Sequence, residues 1–153
     1  MSDVVEAADG AAEKHLIFSI LGKLYAFPTR VIGEVAMYDA VYPLPLVPPY
    51  VLGIINRYSI PHALFDIGLL LFNTPSPREK ALVIKENVDR IAFLVDDVVG
   101  IADVPPGELL AVEQGSEDGG ASGTISASFN WNGGEVFVLD LWRILARVES
   151  GAA

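Results

Sequence analysis

Apolar and polar residues change places along this chain in short runs, each closed by Gly, Pro, Asn or Asp. That is the rhythm of strands and tight turns, not of long helices. Residues 15–20 form a first apolar run, Leu21-Gly22-Lys23 a turn, and residues 24–27 a second run that Pro28 closes. A strand is expected over residues 31–38, rich in β-branched and aromatic residues, with Glu34 as its single acid. Pro43, Pro45, Pro48 and Pro49 then exclude both helix and central strand, so residues 42–50 read as an extended, semi-rigid connector.

The densest stretch is residues 53–72. Ile54-Ile55 leads to Asn56, the polar trio Arg57-Tyr58-Ser59 interrupts, and an apolar run resumes from Ile60 to Phe65. This predicts a hairpin. Asp66 stands directly before Ile67, Leu69, Leu70 and Leu71, where its carboxylate can accept hydrogen bonds from the first amides of a short helix. Strands are next expected over residues 81–85 and 90–99, around a Glu86-Asn87 turn. A last hairpin, residues 125–129 and 135–139, folds around Asn132-Gly133, a strong short-turn signal. Asp140 is placed to cap residues 141–146.

The chain partly repeats itself. Strand, Asp and short helix occur at ALFDIGLLLF and again at VFVLDLWRIL, so that Asp66 corresponds to Asp140. Ala26-Phe27 before Val31-Ile32-Gly33 matches Ala92-Phe93 before Val98-Val99-Gly100. About ten short strands, with no helix long enough for a crossover, predict an all-β protein made of two similar small five-stranded SH3-like barrel subdomains packed together, with short capping helices. Residues 1–13 are expected to be a flexible leader, 14–148 the folded unit and 149–153 a tail.

Composition narrows the function. With 153 residues, 52% of them hydrophobic, the chain is long enough for one domain with a core. A net charge of −10 disfavours nucleic acid and anionic membranes and leaves proteins as the expected partners. The acid is uneven: nine carboxylates stand against Arg90 alone between Glu86 and Asp118. Absence of cysteine removes thiolate chemistry and, with no apolar stretch suited to a bilayer, makes the cytoplasm the expected compartment and membrane insertion unexpected.

No catalytic constellation forms on paper. Along one strand His62 and Asp66 are about 13 Å apart, too far for a relay with Ser59, and no serine sits in a nucleophile elbow. His62 is expected to be a half-buried strand residue. His15 and His62 are too isolated for zinc, and apolar residues separate Asp96-Asp97 from Asp103, which argues against a calcium loop. The glycine-rich residues 115–123 lack the lysine and the strand-to-helix setting of a phosphate cradle. No catalytic residue, metal or cofactor is therefore expected.

The frame from Gly53 through Asn56 to Asp66 resembles the CheW-like chemotaxis coupling proteins, whose usual pattern is G-V-V-N-L-R-G, an apolar strand with Pro, then D-L. The resemblance extends to VIGEVAMY, DRIAFLVDDVVGIADVPPGEL and FVLDLWRIL, covering roughly residues 14–147. It implies two intertwined five-stranded barrels, no catalysis, and an adaptor that couples a chemoreceptor or other signalling protein to a histidine kinase of the CheA type. By the same resemblance Ile32, Glu34 and Asn56 fall at partner-facing positions. The tip departs from the pattern: Arg57 and Tyr58 stand where Leu-Arg is usual and Ser59 replaces Gly. Arg57 and Tyr58 are expected to be exposed and to join that surface, the competing expectation being that Tyr58 is core. Asn56 has an equally plain role in bonding the turn backbone, and Asp66 and Asp140 are expected to be structural caps. The rival classes are a small-ligand-binding or enzymatic barrel, an adaptor for a pilus-type system, and a regulatory fragment of a larger kinase.

Overall fold

The computed structural model describes residues 12–38, 40–75, 80–112 and 123–149. The expectations for residues 1–11 and 150–153, and for nearly all of the glycine-rich loop, lie outside the described residues. Glu13 and Glu149, assigned by the sequence pattern to leader and tail, instead open the first strand and close the second helix.

Eleven strands are seen among the described residues: β1 Glu13–Ile20, β2 Lys23–Pro28, β3 Ile32–Ala36, β4 Val51–Arg57, β5 Ile60–Asp66, β6 Lys80–Ile84, β7 Ile91–Val95, β8 Asp97–Val104, β9 Leu110–Ala111, β10 Ile125–Trp131 and β11 Gly134–Leu139. Helices Ile67–Phe72 and Leu141–Glu149 follow β5 and β11. The strands form a six-stranded sheet in the order β8-β1-β2-β11-β10-β9 and a five-stranded sheet in the order β3-β6-β7-β5-β4.

The sheet orders superimpose element by element. β3 corresponds to β8, β6 to β1, β7 to β2, β5 to β11 and β4 to β10. In the parallel pairs Ala26 lies opposite Val138 and Ala92 opposite Leu64, two residues before Asp140 and Asp66 respectively. The Asp and Ala-Phe correspondences are thus kept to the residue, whereas the expected match of Val31-Ile32-Gly33 with Val98-Val99-Gly100 is one residue out of step: the registers set Ile32 against Val98 and Glu34 against Gly100. The units are not successive halves of the chain, however. The β1-β2 hairpin joins strands from the far half of the sequence, and the chain passes between sheets twice, after β2 and after β7.

The second passage explains why the expected single strand over residues 90–99 is two strands. Asp96 breaks it: its amide donates to the Ser19 carbonyl (3.0 Å), and its Oδ2 accepts from the Leu21 amide (2.8 Å) as the chain leaves one sheet for the other. The 42–50 connector also departs from expectation. It is bent by turns and not extended, with Leu46 at φ 58°. The short strand β9 was not foreseen.

Each sheet buries both faces. Ile55, Leu64, Val83 and Leu94 fill the inside of the five-stranded sheet, and Ile17, Phe129, Val136 and Val138 fill the inside of the six-stranded one. Their alternate residues, including Phe18, Phe27, Leu82 and Phe93, join Leu70, Leu71, Leu141 and Ile144 of the helices in one central core. Strands buried on both sides carry unbroken apolar runs, which is why β7 reads IAFLV. The equivalent residues Phe27 and Phe93 stack on one another, centroids 5.8 Å apart and planes 17° from parallel.

Contacts reaching across to an edge strand, β3 in one sheet and β8 in the other, draw each sheet closed. Glu34 on β3 and Arg57 on β4, from opposite edges of the five-stranded sheet, form an ion pair at 3.0 Å. In the other sheet the indole of Trp131 on β10 lies against Gly100 on β8, so close that a Cβ there would fall 2.8 Å from the ring. The all-β, two-subdomain architecture is as the sequence predicts.

Candidate docking site

The β4-β5 hairpin turns on Tyr58 and Ser59, both with left-handed backbone, φ 52° and 67°. A type I′ turn twists as the flanking strands do but needs positive φ at both central residues, a conformation that Asn and Gly favour. Neither Tyr nor Ser is suited to it. The result is an aromatic side chain held out at the tip, 83% exposed. The expectation that Tyr58 is core is therefore wrong: a residue at the centre of a two-residue turn has no sheet face through which to enter the barrel.

Arg57 reaches back from the tip. Its Nε and Nη2 donate to Oε2 and Oε1 of Glu34, both at 3.0 Å, and its guanidinium lies over the Tyr58 ring, 5.4 Å from the centroid. A bidentate, partly shielded pair of this kind fixes orientation better than an exposed point contact. Tyr58, Arg57 and Glu34 thus form one chain of contacts from the tip to the opposite edge of the barrel.

This chain borders a cleft of about 280 Å³, also lined by Gly33, Ile60, His62 and Glu86. His62 is fully buried, not half-buried, because its position on β5 faces inward; its Nδ1 is paired with the Ile60 carbonyl at 3.1 Å. Asn56 is exposed next to Arg57 in sequence, and its side chain makes no hydrogen bond among the described residues, so the turn-bonding role is not observed. Ile32 is half-buried against the central core and does not line the cleft, the register shifting between it and Glu34. The fold therefore assembles Glu34, Arg57 and Tyr58, with Asn56 beside them and Ile32 apart. His62 and Glu86 join the cleft without a motif to announce them; the period-two spacing of His62 within its strand was the available signal.

The two aspartates sit at equivalent junctions in unequal settings. Asp66 is fully buried, its Oδ1 accepting from the Leu69 amide at 3.1 Å and its own amide donating to the Tyr50 carbonyl at 2.8 Å. Asp140 is half-buried; its Oδ1 accepts from the amides of Trp142 and Arg143, at 3.0 and 3.3 Å. Both satisfy amides that a helix start leaves unpaired.

The remaining ionisable residues do not converge. Ser59 is exposed at the tip while Asp66 is buried at a helix start, so no relay with His62 exists. Asp97 pairs with Lys80, and Asp103 with Lys14 at 2.8 Å. Lys80, together with the Val98 amide, holds the Asp97 carboxyl below its usual range. His15 is buried against Phe129, and burial lowers its pKa from 6.5. It lines a second cavity of about 210 Å³ with Arg30, Leu109 and Trp142. Among the described residues no group of three or more potential ligands could hold a metal ion, and no helix is long and apolar enough to cross a membrane.

A pair of β barrels presenting an amphipathic hairpin tip beside a shallow cleft has the form of a docking module. A family model described as the CheW-like domain matches residues 14–149, and the chain belongs to that family. The fold is similar to that of the scaffolding protein TtCheW from Thermoanaerobacter tengcongensis, at 14% identity and a TM-score of 0.74 over 85% of this chain and 90% of that one. Comparison with curated proteins returns no match.

Proposed function

We propose that this protein is a non-enzymatic adaptor of a chemotaxis-type or motility signalling pathway, joining a histidine kinase of the CheA type to a chemoreceptor or other signalling protein in the cytoplasm. The observation that carries this reading is the Tyr58-Arg57-Glu34 chain. It combines an exposed aromatic, a guanidinium held in place and a carboxylate anchor on a turn whose residues oppose its backbone geometry. Strained backbone at an exposed tip is retained where the side chain matters more than local stability, and Tyr and Arg dominate binding energy at interfaces. Asn56 extends the surface, and Ile32, packed against the central core, stands apart from it.

Membership of the CheW-like family supports the adaptor role. The cleft beside the tip, about 280 Å³, falls below the usual range of ligand pockets, roughly 300–1,000 Å³, which supports docking over a small-molecule site there. The test is a binding titration of the purified protein against the host's CheA-type kinases and receptors. Wild type is expected to bind at least one of each class, and Glu34→Lys to bind less while keeping its unfolding midpoint. Absence of binding to any of them, or a hydrolase, phosphatase or nucleotide-binding activity lost in Ser59→Ala or His62→Ala, would refute the reading.

A further inference from the structure

The two barrels finish the same end in different ways. In the six-stranded sheet the indole of Trp131 rests on Gly100, and Trp131 packs against the interior cluster that holds Ile17 and Val136. The strand registers set Arg57, Glu34, Val83 and His62 at the corresponding positions of the five-stranded sheet. There Arg57 turns to the Glu34 carboxylate and the Tyr58 ring, so no side chain closes the barrel as the indole does, and the cleft of about 280 Å³ opens beside it. A place that a flat ring fills in one copy is shaped for a flat group in the other.

The lining selects the group. His62, only 3% exposed, stands where the sister barrel has Val136. Its Nδ1 faces the Ile60 carbonyl at 3.1 Å, and because a carbonyl only accepts, Nδ1 carries the hydrogen. In the neutral ring Nε2 is then an acceptor, and it has no hydrogen-bond partner among the described residues. A buried acceptor of this kind calls for a donor. Glu86 stands exposed at the rim, with no ion pair among the described residues, and Glu34 keeps lone pairs beyond the two that Arg57 uses. Among the described lining residues, two carboxylates thus face one guanidinium.

A planar cation rich in donors answers each of these features, and the guanidinium of arginine is one, with five N–H groups and no acceptor. A carboxylate or phosphate meets Glu34 and Glu86 as a like charge. A neutral indole leaves the charge unbalanced, and a lysine ammonium is not flat. We propose that the cleft receives the side chain of an arginine on the docking partner, its guanidinium donating to His62 Nε2 and to the carboxylates of Glu34 and Glu86. This rests on the docking reading above and names what the partner supplies. With the arginine in place the site balances, two carboxylates to two guanidinium groups.

Amide correlation spectra of the full chain, titrated with N-acetyl-arginine amide, should show saturable shifts at Glu34, Arg57, His62 and Glu86. The lysine and tryptophan amides should bind at least about threefold more weakly, and inorganic phosphate should cause no shift there. Glu86→Gln removes a charge, and His62→Val removes the acceptor while giving the barrel the residue its sister carries; each should raise the dissociation constant for the arginine amide at least about threefold with the folded spectrum kept. The same two variants should weaken binding of the kinase or receptor about tenfold. No saturable shift with the arginine amide, lysine or tryptophan amide binding as tightly, phosphate shifts at these residues, or partner binding unchanged in both variants would each overturn the proposal. Arginine amide bound in the cleft of a protein that binds no kinase or receptor would refute the docking reading and leave the guanidinium site standing.

Discussion

The two equivalent hairpin tips solve one geometric problem with opposite residues. Aligning Asp66 with Asp140 sets Arg57-Tyr58-Ser59-Ile60 against Trp131-Asn132-Gly133-Gly134. Both central pairs have positive φ: 52° and 67° at Tyr58 and Ser59, 49° and 81° at Asn132 and Gly133. The second tip uses the residues this turn prefers. The first does not. The difference continues inward, where Arg57 and Trp131 both reach the opposite edge strand of their sheet. Arg57 does so by an ion pair to Glu34, and Trp131 by laying its indole on Gly100, which the strand registers make the counterpart of Glu34. One copy of the repeat is thus optimised for closure, and the other carries polar, strained and exposed residues at the same places. A repeat in which one member breaks local rules and the other keeps them supports the docking surface proposed at the first tip.

The sharpest way to break this comparison is to truncate each tip and measure binding and stability on the same proteins. Tyr58→Ala should weaken partner binding by about 1–3 kcal/mol and leave the unfolding midpoint within about 0.5 kcal/mol of wild type. Asn132→Ala should leave binding unchanged. Equal effects on binding at the two tips would remove the functional distinction between the barrels.

The capping aspartates test whether equivalent positions carry equal weight. Asp66→Ala should cost about 2 kcal/mol, the upper end for a lost cap, because its site is fully buried; Asp140→Ala should cost about 0.5–1 kcal/mol. Asp66→Asn should recover most of the loss. An Asp66→Ala protein with an unchanged denaturation midpoint and no partner binding would assign Asp66 to the interface instead.

Exchanging the second turn residues offers a smaller and cleaner test. Ser59→Gly should stabilise by about 1 kcal/mol and Gly133→Ser destabilise by about the same, since each changes the cost of the left-handed conformation. Urea midpoints moving in the same direction would contradict the strain assigned to the first tip.

The smallest effect is a pH dependence at His15 in the six-stranded sheet. Burial lowers the folded pKa of His15 below 6.5, so the folded state takes up a proton less readily than the unfolded chain. Its contribution to stability is complete above pH 6.5 and is lost as the pH falls from there through the lowered folded value. His15→Phe should flatten the fall in urea midpoint between pH 7.5 and 5.5, and an unaltered profile would show that His15 is not its source.

Much of this was legible in the chain because it is written in short-range physics. Period-two alternation located the strands, the turn formers located Leu21-Gly22 and Asn132-Gly133, and an Asp before an apolar run located both helix starts. The matched pairs Asp66 and Asp140, and Ala26-Phe27 and Ala92-Phe93, already contained the repeat that the parallel pairings keep to the residue. Tertiary structure alone decided which sheet each strand joins, since an apolar strand of this length satisfies either sheet equally and only the passages after β2 and β7 choose between them. It also decided that Arg57 meets Glu34. That contact spans 23 residues and two opposite sheet edges, and it forms because the sheet curls on itself, a consequence of twist summed over five strands that no local pattern expresses.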